Sequence, residues 1–151
     1  MTGANAEFGE RIPKLRGILR YVELKTGYDD NGPAWIGFVT LSKTGRTVYF
    51  NGRALKKMGG SGVCGGNHYD LETGDEFWVS GVKKRGRNRH PVGRGKVLVE
   101  AAALSEFLRS TGSVSLDPAL YEVTSTVVQT DIKRLGRLEN TTLETKFRLT
   151  G

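Results

Sequence analysis

Apolar and polar positions alternate in short bursts along most of this chain, and the bursts are separated by turn-forming residues. Residues 1–17 carry scattered Gly and Pro and little β signal, so they read as an N-terminal tail. From Leu19 the pattern changes. "LRYVELKTG" predicts a strand, and "YDDNGP" behind it predicts a turn, since Asp30, Asn31, Gly32 and Pro33 each favour turn geometry. "WIGFVTL" (Trp35 to Leu41) and "RTVYFN" (Arg46 to Asn51) flank "SKTG" and predict a hairpin. In its second arm Val48 and Phe50 fall on one face, Thr47 and Tyr49 on the other. "RALKKM" (Arg53 to Met58) fits either one helical turn or an irregular edge.

The Gly-rich "GGSGVCGGN" predicts a loop, and "YDLETGDEFWVSGVKK" a turn at Glu72–Gly74 followed by a strand over Glu76–Val82. A long connection, "RGRNRHPVGRG", leads to the strand "KVLVE". In "AAALSEFLRSTG" Leu104, Phe107 and Leu108 share helical spacing, and Gly112 is placed to stop the helix. Beyond it, "YEVTSTVV" fits a strand. "TDIKRLGRLEN" fits a short helix, with Thr130 as N-cap and Ile132, Leu135 and Leu138 on one face. The sum is a mainly β fold: a small antiparallel SH3-like or OB-like barrel with one or two short helices. The domain reading is a tail over 1–17, a barrel over 18–112 and a C-terminal extension (strand plus short helix) over 113–151, packed on the core or on a partner.

Composition changes this picture in one place. The chain of 151 residues has formal charge +7, and the segment 81–96 alone holds seven Lys and Arg and no acid. The remainder is therefore neutral on balance, and the charge is a local feature. A concentrated basic patch is the footprint expected for a polyanion partner. The single Cys, Cys64, excludes an intrachain disulfide and fits a reducing compartment. No apolar run approaches the ~20 residues of a membrane span, and the N-terminal stretch has no secretory hydrophobic segment. The expected location is the cytoplasm, with no membrane partner.

The stretches "YVELKTGYDDNGPAWIG", "SKTGRTVYFNGRAL" and "YDLETGDEFWVSGVKKRGRNRH" together resemble a family of small, uncharacterised bacterial proteins, some of which carry the name 1-deoxy-D-xylulose-5-phosphate synthase. The resemblance spans roughly Tyr21 to Glu100. Pro91 stands where similar proteins are expected to have an aromatic residue. The synthase chemistry itself does not fit the residues. A thiamine-diphosphate enzyme holds its diphosphate through Mg²⁺, usually with Gly-Asp-Gly followed some way on by Asn ligands. Here Gly74-Asp75 is followed by Glu76, and Asn88 comes too soon, among arginines.

The basic segment supplies the leading site: Lys83, Lys84, Arg85, Arg87, Arg89, Arg94 and Lys96 as phosphate contacts. Of the strand aromatics Trp35, Phe38, Tyr49, Phe50 and Trp78, Trp35 or Tyr49 is the expected base-stacking residue. The bland alternative is a solvated loop whose charge serves solubility, or one neutralised by Glu72, Asp75 and Glu76. "GSGVCG" matches the dinucleotide spacing literally but lacks the strand before and the helix after that the motif requires. Cys64, His68, His90 and Asp70 are a thin metal set, and a Cys64–His nucleophile pair rests on co-occurrence alone. Asp29 and Asp30 are explained by the turn before Pro33. No catalytic, cofactor or metal residues are assigned. The expectation is a non-enzymatic binding module that contacts RNA or single-stranded nucleic acid through residues 81–96. The alternative is a protein-interaction adaptor or homo-oligomer that uses the C-terminal extension.

Overall fold

The computed structural model describes residues 17–25, 32–89 and 95–139. Six strands run β1 (Ile18–Lys25), β2 (Ala34–Leu41), β3 (Thr47–Phe50), β4 (Arg53–Lys57), β5 (His68–Asp70) and β6 (Glu76–Ser80). Each pairs antiparallel with the next, and β1 pairs with β6 as well as β2, so the sheet closes. The small antiparallel barrel expected from the alternation is what the chain forms. Closure leaves no free edge among these six strands.

"RALKKM" is strand β4, neither a helical turn nor an edge. Its cause is the dipeptide before it. Asn51 and Gly52 have φ of 50° and 76°, and Phe50 pairs with Arg53 across them. A two-residue turn with both φ positive matches strand twist and forces the chain back on itself. β5 has only three residues and too little alternation to stand out in the sequence.

Two parallel strands extend the sheet outside the barrel. β7 (Val97–Glu100) lies beside the first half of β2, and β8 (Tyr121–Thr124) beside β7. A short 3₁₀ turn, Ala101–Ala103, runs into helix α1 (Leu104–Thr111). Gly112, at φ 68°, ends α1, and the Ser113 N–H reaches back to the Leu108 carbonyl at 3.0 Å. A second helix, α2, covers residues 132–139. Its cap is Asp131, whose Oδ1 accepts the Arg134 N–H at 3.1 Å. Thr130, the expected cap, instead accepts the Gly52 N–H at 2.9 Å. Among the described residues no helix is long and apolar enough to cross a membrane.

Three apolar clusters follow from this arrangement. Val22, Val39, Val48, Phe50, Leu55, Phe77 and Val79 fill the barrel. Tyr21, Ala34, Ile36, Val97, Val99 and Phe107 pack outside β1 and β2, beneath β7 and α1. Tyr49 and Ala54 pack outside the barrel against Leu135 of α2. The third cluster explains why all four residues of β3 are buried although they alternate between faces. Val48 and Phe50 point inward. Thr47 and Tyr49 lie beneath α2, where Thr47 Oγ1 donates to Glu139 Oε1 at 2.7 Å.

Candidate nucleic-acid interface

The outer face of β1 and β6 carries a different kind of surface. Tyr21, Glu23 and Lys25 alternate outward from β1, and opposite them on β6 stand Ser80, Trp78 and Glu76. Tyr21, Glu23, Lys25, Trp78 and Ser80 line an open pocket of about 390 Å³. Gly65 of the Gly-rich loop and Gly81, Lys83 and Asn88 of the basic connection complete it.

The pocket floor is polar and ordered. Glu23 is 2% exposed. Its Oε1 accepts the Tyr21 hydroxyl at 2.5 Å and its Oε2 accepts Lys25 Nζ at 3.2 Å. Burial, and then the hydrogen bond and charge of Glu23, hold the Tyr21 phenol well above its ordinary range; the Arg89 guanidinium pulls less strongly the other way. Tyr21 therefore keeps its proton and donates it to Glu23. Trp78, directly across from Glu23, is 38% exposed. The indole thus stands partly open to solvent beside a buried, hydrogen-bonded carboxylate.

The basic segment divides into two roles. Arg89 was expected among the phosphate contacts, and it turns inward instead. It is 7% exposed, and its guanidinium donates to the Gly32 carbonyl and, at 3.4 Å, to the Gly95 carbonyl. It thus ties the basic connection to the start of β2. Asn88 closes the turn before it: its Oδ1 accepts the Lys83 N–H at 2.8 Å, and its amide donates to the Tyr121 hydroxyl at 3.2 Å. Lys83, Lys84, Arg85 and Arg87 are exposed on this turn, and Lys96 is exposed at the far end of the segment. Arg94, with His90 and Pro91, lies outside the described residues, as do Asp29 and Asp30.

The acids that threatened to neutralise the turn are engaged elsewhere. Glu72 binds Arg134 through both oxygens, at 3.0 and 3.1 Å, and this pairing lowers its carboxyl pKa. Asp75 lies 3.9 Å from Arg53. Glu76 Oε1 accepts the N–H groups of Cys64 and Gly66, each at 3.0 Å. Among the described residues no salt bridge involves Lys83, Lys84, Arg85, Arg87 or Lys96. Arg53 does not join them: it bonds Asp70 at 2.6 Å and lies over the Phe77 ring.

The Glu76 contacts also decide what the "GSGVCG" loop is. Backbone N–H groups that converge from a Gly-rich loop form a nest for an anion. Here the chain's own carboxylate fills the nest, and a Cβ at Gly62 would overlap it. The loop is a wall of the pocket and holds no phosphate cradle. His68 is buried and bonds Asn67 Oδ1 at 2.8 Å, and no hydrogen bond joins it to Cys64. Among the described residues no group of His, Cys, Asp and Glu is placed to hold a metal ion.

The expected stacking residues are displaced. Tyr49 is buried beneath α2. Trp35 packs edge-on against Phe50 at 6.2 Å, beside the barrel core. Neither lines the pocket. Trp78 does, and its position was readable: it alternates with Phe77 and Val79, which the same strand must bury. Glu23 was missed because a lone acid in "YVELK" reads as an ordinary solvated position. Comparison of the chain with protein-family models, curated proteins and solved structures gives no match.

Proposed function

We propose that this protein is a cytoplasmic, non-enzymatic binding module for single-stranded nucleic acid, RNA in the first place. Its backbone contacts are Lys83, Lys84, Arg85 and Arg87, and its stacking residue is Trp78. The observation that carries the reading is the shared pocket: an exposed indole and the root of a basic turn that forms no salt bridge among the described residues, Lys83 and Asn88, line one cavity. Single strands are held by this pairing of aromatic platforms for bases with cations for the backbone. Three of these cations border different hollows: Lys83 the Trp78 pocket, Lys84 one beside α1 and Arg87 one beside Tyr121. Five consecutive residues span at most ~18 Å, so neighbouring cations of the turn lie within about one Debye length of each other at ~0.1 M salt, and a strand passing the turn meets them in succession. A helix that enters a duplex groove is absent from the described pocket walls, which favours single strands over specific duplex sites.

The adaptor alternative draws less support. α2 packs on the chain's own barrel through Leu135, which is fully buried, and Leu138, and its Glu139 bonds Thr47 and Lys56; Ile132 of the same helix stays exposed.

The test compares the full chain with a variant in which Lys83, Lys84, Arg85 and Arg87 are all alanine, using a fluorescent single-stranded oligonucleotide. With about four phosphates neutralised, affinity should fall about fifty-fold between about 50 and 200 mM salt. The variant should keep its fold and lose most of both the affinity and that salt dependence. Equal binding by the two proteins, or none by either at low salt, rejects the reading.

A further inference from the structure

We infer that the Trp78 pocket selects guanine among the bases of a single strand, with Glu23 as the residue that reads it. The inference rests on the binding reading above and names the ligand of the same site.

The argument is one of donors and acceptors. Glu23 and Trp78 are directly opposed on adjacent strands and face the same pocket. Directly opposed side chains on one face of an antiparallel pair lie close, with Cβ atoms roughly 4.5–5.5 Å apart. A base stacked on the indole therefore brings one edge toward the carboxylate. Both carboxylate oxygens already accept, Oε1 from Tyr21 and Oε2 from Lys25, so the group is committed to accepting. Each oxygen retains further lone-pair capacity, and a carboxylate presents two acceptors side by side. Guanine alone among the four bases offers two adjacent donors on its pairing edge, N1–H and the 2-amino group. Adenine and cytosine place a donor beside an acceptor, and uracil has one donor between two acceptors. Those three would each set an acceptor lone pair, a ring nitrogen's in adenine and cytosine and a carbonyl oxygen's in uracil, against the carboxylate or leave one of its oxygens unmatched. Glu23 itself is buried, so a mismatch at its carboxylate is costly even though the pocket is open.

The floor is also held rigidly. The Arg89 guanidinium acts on Tyr21, Tyr21 donates to Glu23, and Lys25 fixes the second oxygen. A carboxylate fixed from both sides discriminates by geometry and does not swing to suit whichever base arrives. Lys83, the pocket's cation from the basic turn, would meet the phosphate that follows.

The experiment uses the unaltered full chain and short oligouridines carrying one central guanosine, adenosine, cytidine or inosine, with free guanosine monophosphate as a separate arm. The expected result is tighter binding of the guanosine strand than of the adenosine strand by about fivefold or more. Inosine, which lacks only the 2-amino group, should fall well below guanosine. Equal affinities for all four strands, with salt dependence intact, overturn the guanine inference and leave the strand-binding reading standing. Selective binding of the free nucleotide with no binding of strands upholds the pocket and rejects the strand. Binding of neither rejects both.

Discussion

Glu23 and Trp78 face each other across β1 and β6 on the outside of the barrel, one 2% and the other 38% exposed. Glu23 is held by Tyr21 and Lys25, while the indole beside it is left open. Interior packing is supplied by the other face of the same strands, through Val22, Phe77 and Val79. The outward pair is instead the part of this face that lines the pocket.

Replacing Trp78 by Ala should weaken single-strand binding by about 1–3 kcal/mol, the usual worth of one stacked base. Trp35→Ala should do the opposite: it should cost stability, about 2–4 kcal/mol, because Trp35 packs against Phe50 and the barrel core. Oligonucleotide titration and denaturant unfolding of the two variants separate the roles. A Trp78 variant that binds as well as the parent removes the stacking platform.

Arg85 and Arg89 are four positions apart in sequence and should behave differently. Arg85→Ala should leave stability within about 0.5 kcal/mol and reduce the salt slope of binding by about 0.7, one phosphate's share. Arg89→Ala should lower stability by about 1–3 kcal/mol, because its removal strips the Gly32 carbonyl of a buried donor. Unfolding curves and salt titrations on both proteins make the comparison.

Leu135→Ala should destabilise the whole barrel by about 2–5 kcal/mol, since Leu135 is fully buried against Tyr49 and Ala54. If α2 were a docking arm for another protein, the same substitution would leave the unfolding midpoint unchanged. Removal of residues 113–151 is for this reason a poor test of partner binding: it also strips Thr47 and Tyr49 of their cover.

Stability should depend on pH through His68. Burial, and secondarily the charge of Lys57, bring its pKa down to about 4. In the unfolded chain it titrates near 6.5. Above about pH 6.5 both states hold a neutral ring, and His68 contributes no pH dependence. As the pH falls toward about 4 the unfolded chain takes up a proton that the folded chain refuses, so stability declines by up to about 1.4 kcal/mol per pH unit. Denaturant unfolding of the parent and of His68→Gln across this range should show a shallower slope in the variant. Identical slopes would mean that His68 is not the group responsible.

The barrel was legible in the sequence because alternation and turn residues coincide along it. β2 and β3 were readable from "WIGFVTL" and "TVYF", β6 from "EFWVS", and α1 with its Gly112 stop from helical spacing. β4 was obscured by its two lysines, although Asn51-Gly52 just before it is a strong hairpin signal. β7 and β8 were readable as strands from "KVLVE" and "YEVTSTVV", but their parallel pairing was not, since local pattern carries no information on which distant strand a short segment will join. The site was half legible. Charge density picked out the turn from Lys83 to Arg87. It could not distinguish Arg89, whose guanidinium meets a carbonyl 57 positions away. Nor could it pair Glu23 with Trp78, which only barrel closure brings together.

The most direct test of the account is a map of where a single strand touches the protein. In a ¹H–¹⁵N spectrum of the full chain at low salt, titration with a short guanosine-containing oligouridine should move the Trp78 indole signal together with the amides of Glu23, Gly65, Lys83 and Asn88. The signals of β3 and α2 should stay in place. Shifts confined to α2, or a spectrum that does not change, would contradict it.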